Sequence, residues 1–247
     1  MSHPLPVGEY RETGLETLER FNNARRFNAW MYDRIAAYCR GNVLEIGSGT
    51  GNISEQLLNS GARVVLSDMN DRYCARLRER FAGHGNLQSI EQVNLSVAAF
   101  ESSYPTLIGR FDTVVAFNVI EHIEDDKLAV RNARLLLNKG GRLIILVPAF
   151  QWMYNSLDKA LDHFRRYRSR QVKALVTQAG LTHLHTEYFN IAGMPGWWIN
   201  GTLRRKKLVP AGQLRIFDAL VPLLRLIDKL FCYRFGLSVI TVSQNNS

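Results

Sequence analysis

Cysteine is scarce in this chain: Cys39, Cys74 and Cys232 are the only three among 247 residues, far apart and without C-x-x-C spacing. Neither a disulfide framework nor a zinc knuckle is expected from them, and no metal-ligand set stands out elsewhere. No run of about eighteen purely apolar residues exists to cross a bilayer. The opening Met1-Ser2-His3-Pro4-Leu5-Pro6 lacks the basic start and apolar block of a secretory signal, so a cytoplasmic protein is expected. Residues up to about Thr13 read as loosely held. There is no internal repeat and no low-complexity block. Acidic residues are the minority, 22 against 31 Lys and Arg, for a net charge of +9, which favours an acidic partner: nucleic acid, an anionic membrane surface or a phosphorylated substrate.

What the chain does have is enough apolar content, 46%, to bury the core of one α/β domain over residues 1–247. Its organising stretch is Val43-Leu44-Glu45-Ile46-Gly47-Ser48-Gly49-Thr50-Gly51, an apolar strand running into three alternating glycines. Glycine takes φ > 0 and has no Cβ, so such a turn lets a ligand approach the main chain above the strand end. The next apolar run, Arg63 to Asp68, ends in an acid about twenty positions beyond the first glycine, where a doubly wound sheet presents it to a ribose. That spacing serves two classes of cofactor. Nicotinamide enzymes show Gly-x-Gly-x-x-Gly, but here Asn52 holds the last glycine's place.

Strands and helices alternate regularly from Val43: strands are expected at 43–46, 63–67, 87–92, 112–117 and 142–147, with helices at 52–59, 71–82, 96–108 and 125–137 between them. Gly61, Gly83, Gly85 and Gly140-Gly141 fall where helices should stop, and Ser169 can cap a helix that Gly180 ends. Strands around 182–189 and 237–242 would form an antiparallel pair. Apolar positions between Leu15 and Tyr38 recur at helical spacing and predict one or two helices over 14–39.

Glu45, the Gly47/Gly49/Gly51 turn and the run Phe111-Asp112-Thr113-Val114-Val115-Ala116-Phe117-Asn118-Val119-Ile120-Glu121-His122 together resemble the class I S-adenosylmethionine-dependent methyltransferases of small molecules. The resemblance covers roughly residues 27–190 and the strand near 237–243. It implies an α/β fold: a seven-stranded Rossmann-like sheet with helices on both faces, an N-terminal helical lid, a core over 42–190 and 237–244, and a helical insertion at 191–236. It implies S-adenosylmethionine as cofactor, held by Glu45, Gly47, Ser48, Gly49, Gly51, Asp68, Met69, Asn94, Leu95 and Asn118. The glycine turn would face the methionyl part, Asp68 the ribose and Asn94, accepting through its oxygen, the adenine amino group; Asn118 would border the reacting methyl. Aromatic residues of the lid belong mostly to the core, with Tyr10, Trp30 or Tyr32 available to cap the site.

Methyl transfer from a sulfonium is an in-line displacement that needs alignment and exclusion of water, and an alcohol acceptor needs a general base as well. His163 is the preferred base and His122, just past the fourth strand, its competitor. The loop after the fifth strand mixes polar and aromatic residues at the edge where open α/β sheets bind ligands, so Tyr154, Asp158, Arg166 and Tyr167 are the expected acceptor contacts. The stretch Leu157-Asp158 to His163-x-Arg165-Arg166-Tyr167 resembles that of a bacterial subgroup of the family, and a small-molecule or lipid-linked acceptor, methylated on oxygen, is expected. Nucleic-acid methylation is a rival that the charge encourages, but the Asp/Asn-Pro-Pro-Tyr run for a flipped base is replaced by Asn118-Val119-Ile120-Glu121. A non-catalytic S-adenosylmethionine binder and a nicotinamide oxidoreductase complete the alternatives.

Within 191–236, eight Lys or Arg stand against Asp218 and Asp228 alone. Trp197-Trp198, the run Arg204-Arg205-Lys206-Lys207 and an apolar helical stretch around Pro222 combine the parts of an interfacial membrane anchor at the inner face of the membrane. The same parts suit a lid or a homodimer interface. Polar residues at 215, 218, 225, 228 and 229 predict one wet helical face, and Pro222 should kink the helix or start a second one.

Overall fold

The regular alternation of apolar strands and amphipathic helices folds, in the computed structural model, into one mixed sheet; the structure describes residues 12–247. Its strands are β1 (Asn42–Ile46), β2 (Arg63–Asp68), β3 (Leu87–Gln92), β4 (Phe111–Phe117), β5 (Leu137–Pro148), β6 (Thr182–Phe189) and β7 (Ser238–Gln244). They lie in the order β3-β2-β1-β4-β5-β7-β6. The first five run parallel, and β7 inserts antiparallel between β5 and β6.

Central strands are apolar on both sides because both faces are covered. Period-two alternation divides them cleanly. Leu44, Val114, Leu143 and Ile145 pack on one face with Val130 and Ala133 of α6 (Asp126–Leu135) and Val172 and Leu175 of α8 (Ser169–Gln178). Val43, Val115, Ile144 and Leu146 pack on the other, beneath α2 (Arg25–Ile35), α3 (Ser54–Asn59) and α4 (Asp71–Arg80). The helix α1 (Glu12–Asn22) precedes them, and the short α5 (Phe100–Ser103), α7 (Ser156–Ala160) and α9 (Gly193–Trp198) fill the connections.

Several sequence expectations shift. The helix expected over 96–108 is only α5, because Asn94 and the chain after it are drawn into turns by Ser96 and Asn132. The helix expected to reach 137 stops at Leu135, and Gly140-Gly141 lie inside a strand that starts at Leu137, where the β4–β5 register slips. Ser169 is the first residue of α8 rather than its cap; its N–H donates to the Tyr188 hydroxyl, 3.2 Å away. Trp30 is buried, with its ring centroid 4.5 Å from that of Phe189, and is a core residue rather than a cap on the site. Tyr32 points to Ser60, away from the strands' carboxyl ends. Tyr10 and the rest of 1–11 lie outside the described residues.

The largest correction concerns α10 (Ala211–Leu230), which runs unbroken through Pro222. The proline removes one intrahelical donor, and next to that gap Arg26 Nη1 donates to the Ala219 carbonyl at 3.0 Å. The expected wet face is partly turned inward. Asp228 is fully buried and accepts the Asn190 and Ile191 N–H groups at 2.6 and 2.8 Å, while Asp218 accepts the Phe27 N–H at 2.8 Å. The outward face is apolar: Ile216, Leu220, Leu223, Leu226 and Leu230 are exposed, Leu230 by 78%. No helix among the described residues is long and apolar enough to cross a membrane.

Candidate functional site

The cofactor half of the site is built at the carboxyl ends of β1 and β2. Glu45, inside β1, is buried, and burial raises its carboxyl to about 7. Its Oε2 accepts the hydroxyls of Ser48, at 2.9 Å, and Ser54, so a strand acid pins the glycine turn to the start of α3. Gly47 has φ +70°, and a Cβ there would lie 2.4 Å from Val119 Cγ2, so only glycine lets the turn press against the residue after Asn118. Gly49, at φ +54°, donates its N–H to Asp68 Oδ2 at 2.9 Å, and the Asn70 N–H binds Asp68 Oδ1 at 2.9 Å. Burial raises the Asp68 carboxyl, opposed by backbone donors from Asn70, Gly49 and Met69.

A carboxylate offers about four acceptor sites, so three backbone donors orient Asp68 and leave capacity for a ribose hydroxyl. The donor set therefore fits S-adenosylmethionine: an oriented carboxylate for the sugar beside a side-chain-free turn for the methionyl part. Above the turn lies α1, as a lid should. Asn52 Nδ2 donates to the Leu18 carbonyl at 3.2 Å, and a Cβ on Gly49 would meet Leu18 Cδ1 at 3.0 Å. Arg76 pairs with Glu19 at 2.9 Å, tying α4 to the same helix.

On the adenine side the expectation needs one correction. Asn94 Oδ1 already accepts the Ser96 N–H at 2.9 Å and the Ser96 hydroxyl at 2.7 Å. Its oxygen is satisfied by that turn, so the group it can offer a purine is the amide nitrogen, a donor. Leu95 is buried in the core and Met69 is half-buried.

The acceptor half lies where β4 and β5 end. Asn118, at φ +53°, is exposed and turns the chain out of β4 into a 3-10 turn, Ile120–His122. Phe150, at φ +61°, does the same after β5, and a bulky residue in that region is strained. The chain then passes through the 3-10 turn Gln151–Met153 and α7, whose Asn155 accepts the Leu157 N–H at 3.0 Å as an N-cap.

Asp158 is the hub of this half. It is fully buried and accepts four donors: Asn155 N–H at 3.0 Å, Arg166 Nε at 2.7 Å, His163 Nδ1 at 2.9 Å and Trp197 Nε1 at 3.3 Å. Burial alone would raise its carboxyl; hydrogen bonding from His163 and the charge of Arg166 outweigh it and hold Asp158 below the usual carboxylate range. Arg166 is itself buried, stacks under the Trp197 ring at 4.9 Å and donates to the Ala149 carbonyl at 3.0 Å. Asp158 and Arg166 thus hold the loop together from within instead of facing an acceptor. So do Tyr167, whose buried hydroxyl donates to Asp126 at 3.0 Å, and Tyr154, whose hydroxyl donates to the His163 carbonyl at 2.7 Å. These four polar groups are tied to one another and to the chain around them.

The two histidine candidates come together. The rings of His122 and His163 meet edge to face with centroids 4.7 Å apart. His163 is nearly buried, and His122 reaches the surface. Sequence reasoning missed two members: Trp197, which reaches from the insertion to Asp158, and Glu121, fully buried between Ile120 and His122. The adjacency of Glu121 to His122 was the available signal; nothing local announced Trp197.

A sequence model of the methyltransferase domain matches residues 44–143 of this chain, the segment from β1 into β5. The ubiquinone biosynthesis O-methyltransferase of Xanthomonas oryzae pv. oryzae is 33% identical over 166 residues, 62% of this chain and 65% of that protein. The chain spans less than two thirds of the length of the curated relatives it matches. Among solved structures, phosphoethanolamine N-methyltransferase 2 of Haemonchus contortus, in complex with S-adenosyl-L-methionine, superposes with a TM-score of 0.64 at 15% identity, over 98% of this chain and 59% of that one. A methyltransferase of Thermotoga maritima gives 0.61 at 14% identity, over 94% and 96%. The glycine turn, the β2 acid and the antiparallel last strand agree with these matches: residues 44–143 are a methyltransferase domain, and the whole sheet has the fold of the S-adenosylmethionine-dependent methyltransferases.

Proposed function

We propose that this chain is an enzyme that transfers the methyl group of S-adenosylmethionine to an oxygen of a small or lipid-linked apolar acceptor. The observation that carries the reading is the pairing of buried Asp158 with His163 Nδ1 at the edge where β4 and β5 end. An ionised carboxylate at Nδ1 fixes the tautomer, so Nε2 is the basic nitrogen and can take the proton of an acceptor hydroxyl. S-adenosylmethionine supplies, when bound, a methyl carbon already activated on a sulfonium. Asp68 and the glycine turn orient that cofactor, α1 covers it, and the Asp158 hub keeps the imidazole in place. Relatives named for the O-methyl step of ubiquinone biosynthesis support an oxygen acceptor.

The apolar outer face of α10 supports an acceptor met at an anionic lipid surface. Arg204, Arg205, Lys206 and Lys207 are all exposed, and among the described residues none of them forms an ion pair. A cationic run beside an apolar stripe is complementary to anionic headgroups above acyl chains. Incubation with methyl-labelled S-adenosylmethionine and a metabolite and lipid extract tests the reading. Label should appear in an organic-soluble methyl ether or ester, and His163→Ala should lose turnover while still binding the cofactor. Label confined to RNA, or no transfer to any fraction, would overturn it.

A further inference from the structure

We propose that Glu121, His122 and His163 form a binding site for one divalent transition-metal ion, open toward the acceptor edge of the sheet. Each of the three offers a ligand atom, and these atoms lie within 4.8 Å of one another. Two imidazoles and a carboxylate on one side of an ion are a donor set suited to zinc and its neighbours, with positions left over for another ligand.

Two further observations point to a cation. Glu121 is fully buried, yet neither of its carboxylate oxygens has a hydrogen-bond partner on another of the described residues. A buried carboxylate without partners is costly. A metal ion would give this carboxylate the partner it lacks. The second observation is the setting of His163. Its Nδ1 is held at 2.9 Å by Asp158, which is itself anchored by Arg166, Trp197 and the Asn155 N–H. Metal-ligating histidines are oriented in this way by a carboxylate behind the ring, which leaves Nε2 directed at the ion. The His122 ring, edge-on to His163, reaches the surface and would close the set from the solvent side. Glu121-His122 and His163 lie on separate loops, after β4 and after β5, joined by the Phe164 N–H to Glu121 carbonyl bond at 2.8 Å.

Three protein ligands leave coordination positions for an acceptor oxygen. Binding of a hydroxyl there would lower its pKa and release its proton to solvent, so that His163 Nε2 is the base in the metal-free site and a ligand in the loaded one. That role rests on the methyl-transfer reading; the metal site does not.

Cobalt(II) titrated into chelator-treated full-length protein gives the test. A visible d–d band should saturate at one equivalent and be displaced by zinc(II). His122→Ala, at an exposed position, should weaken cobalt binding by roughly tenfold or more with the circular dichroism spectrum unchanged, and Glu121→Gln should do the same. No saturable band, or a band that survives both substitutions, would overturn the site. Calorimetry of S-adenosylmethionine with the metal-free protein separates the two readings. Cofactor binding without a cobalt band refutes the metal site alone, and a cobalt band without cofactor binding refutes the methyltransferase reading alone.

Discussion

Replacing Asp158 by Asn leaves the shape of the acceptor loop and removes its charge. Arg166, 2% exposed, then keeps a buried guanidinium whose remaining acceptor is the Ala149 carbonyl at 3.0 Å. The new amide would also turn a donor toward Asn155 N–H or Trp197 Nε1, both of which now donate to Oδ2. Breaking one side of a buried ion pair costs about 3–5 kcal/mol. For a chain of this size each kcal/mol lowers the melting temperature by roughly 2–4 °C, so a drop on the order of 6–20 °C is expected. Thermal denaturation followed by tryptophan fluorescence measures the drop and urea denaturation the free energy, with Asp158→Leu combined with Arg166→Met as the partner experiment. Removing both charges should cost less than Asp158→Asn alone, because no uncompensated charge stays buried. A loss below about 1 kcal/mol for Asp158→Asn, or strict additivity in the double mutant, would refute the hub.

Asp68→Ala should weaken S-adenosylmethionine binding by roughly tenfold or more, read by calorimetry, since hydrogen bonds to a charged group contribute about 1.5–3 kcal/mol. Glu45 carries a pH prediction: its carboxyl is raised from 4.5 to about 7, so the native state holds the proton longer than the unfolded chain. The associated stability is complete below pH 4.5 and is lost as pH rises toward 7, by on the order of 3 kcal/mol. Glu45→Gln should flatten the urea midpoint across that window, and an unchanged slope would exclude Glu45 as its source. Wild-type protein should sediment with anionic vesicles at low salt and be released at high salt, whereas Leu220→Glu with Leu226→Glu should not bind; absence of binding together with a stable dimer would reassign the α10 face to self-association.

The parts of this molecule that were legible in its sequence are those in which neighbours in the chain are neighbours in space. The run from Val43 to Gly51 and the acid at Asp68 needed only a strand, a turn and a second strand to acquire meaning. The residue types of the acceptor loop were legible too, but not their burial. Nothing in the order Asp158, His163, Arg166 says that Trp197, arriving from the insertion, will close over them. For α10 the helical period was visible while its direction was not. Asp218 and Asp228 read as a solvated face until Phe27 N–H and the Asn190–Ile191 turn present themselves as partners. Pro222 read as a break, yet α10 runs on through it, with Arg26, far away in sequence, donating to the Ala219 carbonyl one turn before.

The place of β7 has a consequence for the order in which the protein is assembled. Among the described residues β7 is made after every other strand, yet it sits between β5 and β6 and is the sole hydrogen-bonding neighbour of β6 in the sheet. On the ribosome the parallel half, β1 to β5, can close while the chain grows, but β5 then keeps an open edge and β6 has no strand to pair with. Both wait through the synthesis of the whole insertion, with the apolar face of α10 already exposed. Completion of the sheet is therefore a late, long-range step, and a nascent chain stalled before Ser238 presents an unpaired edge to any other strand it meets.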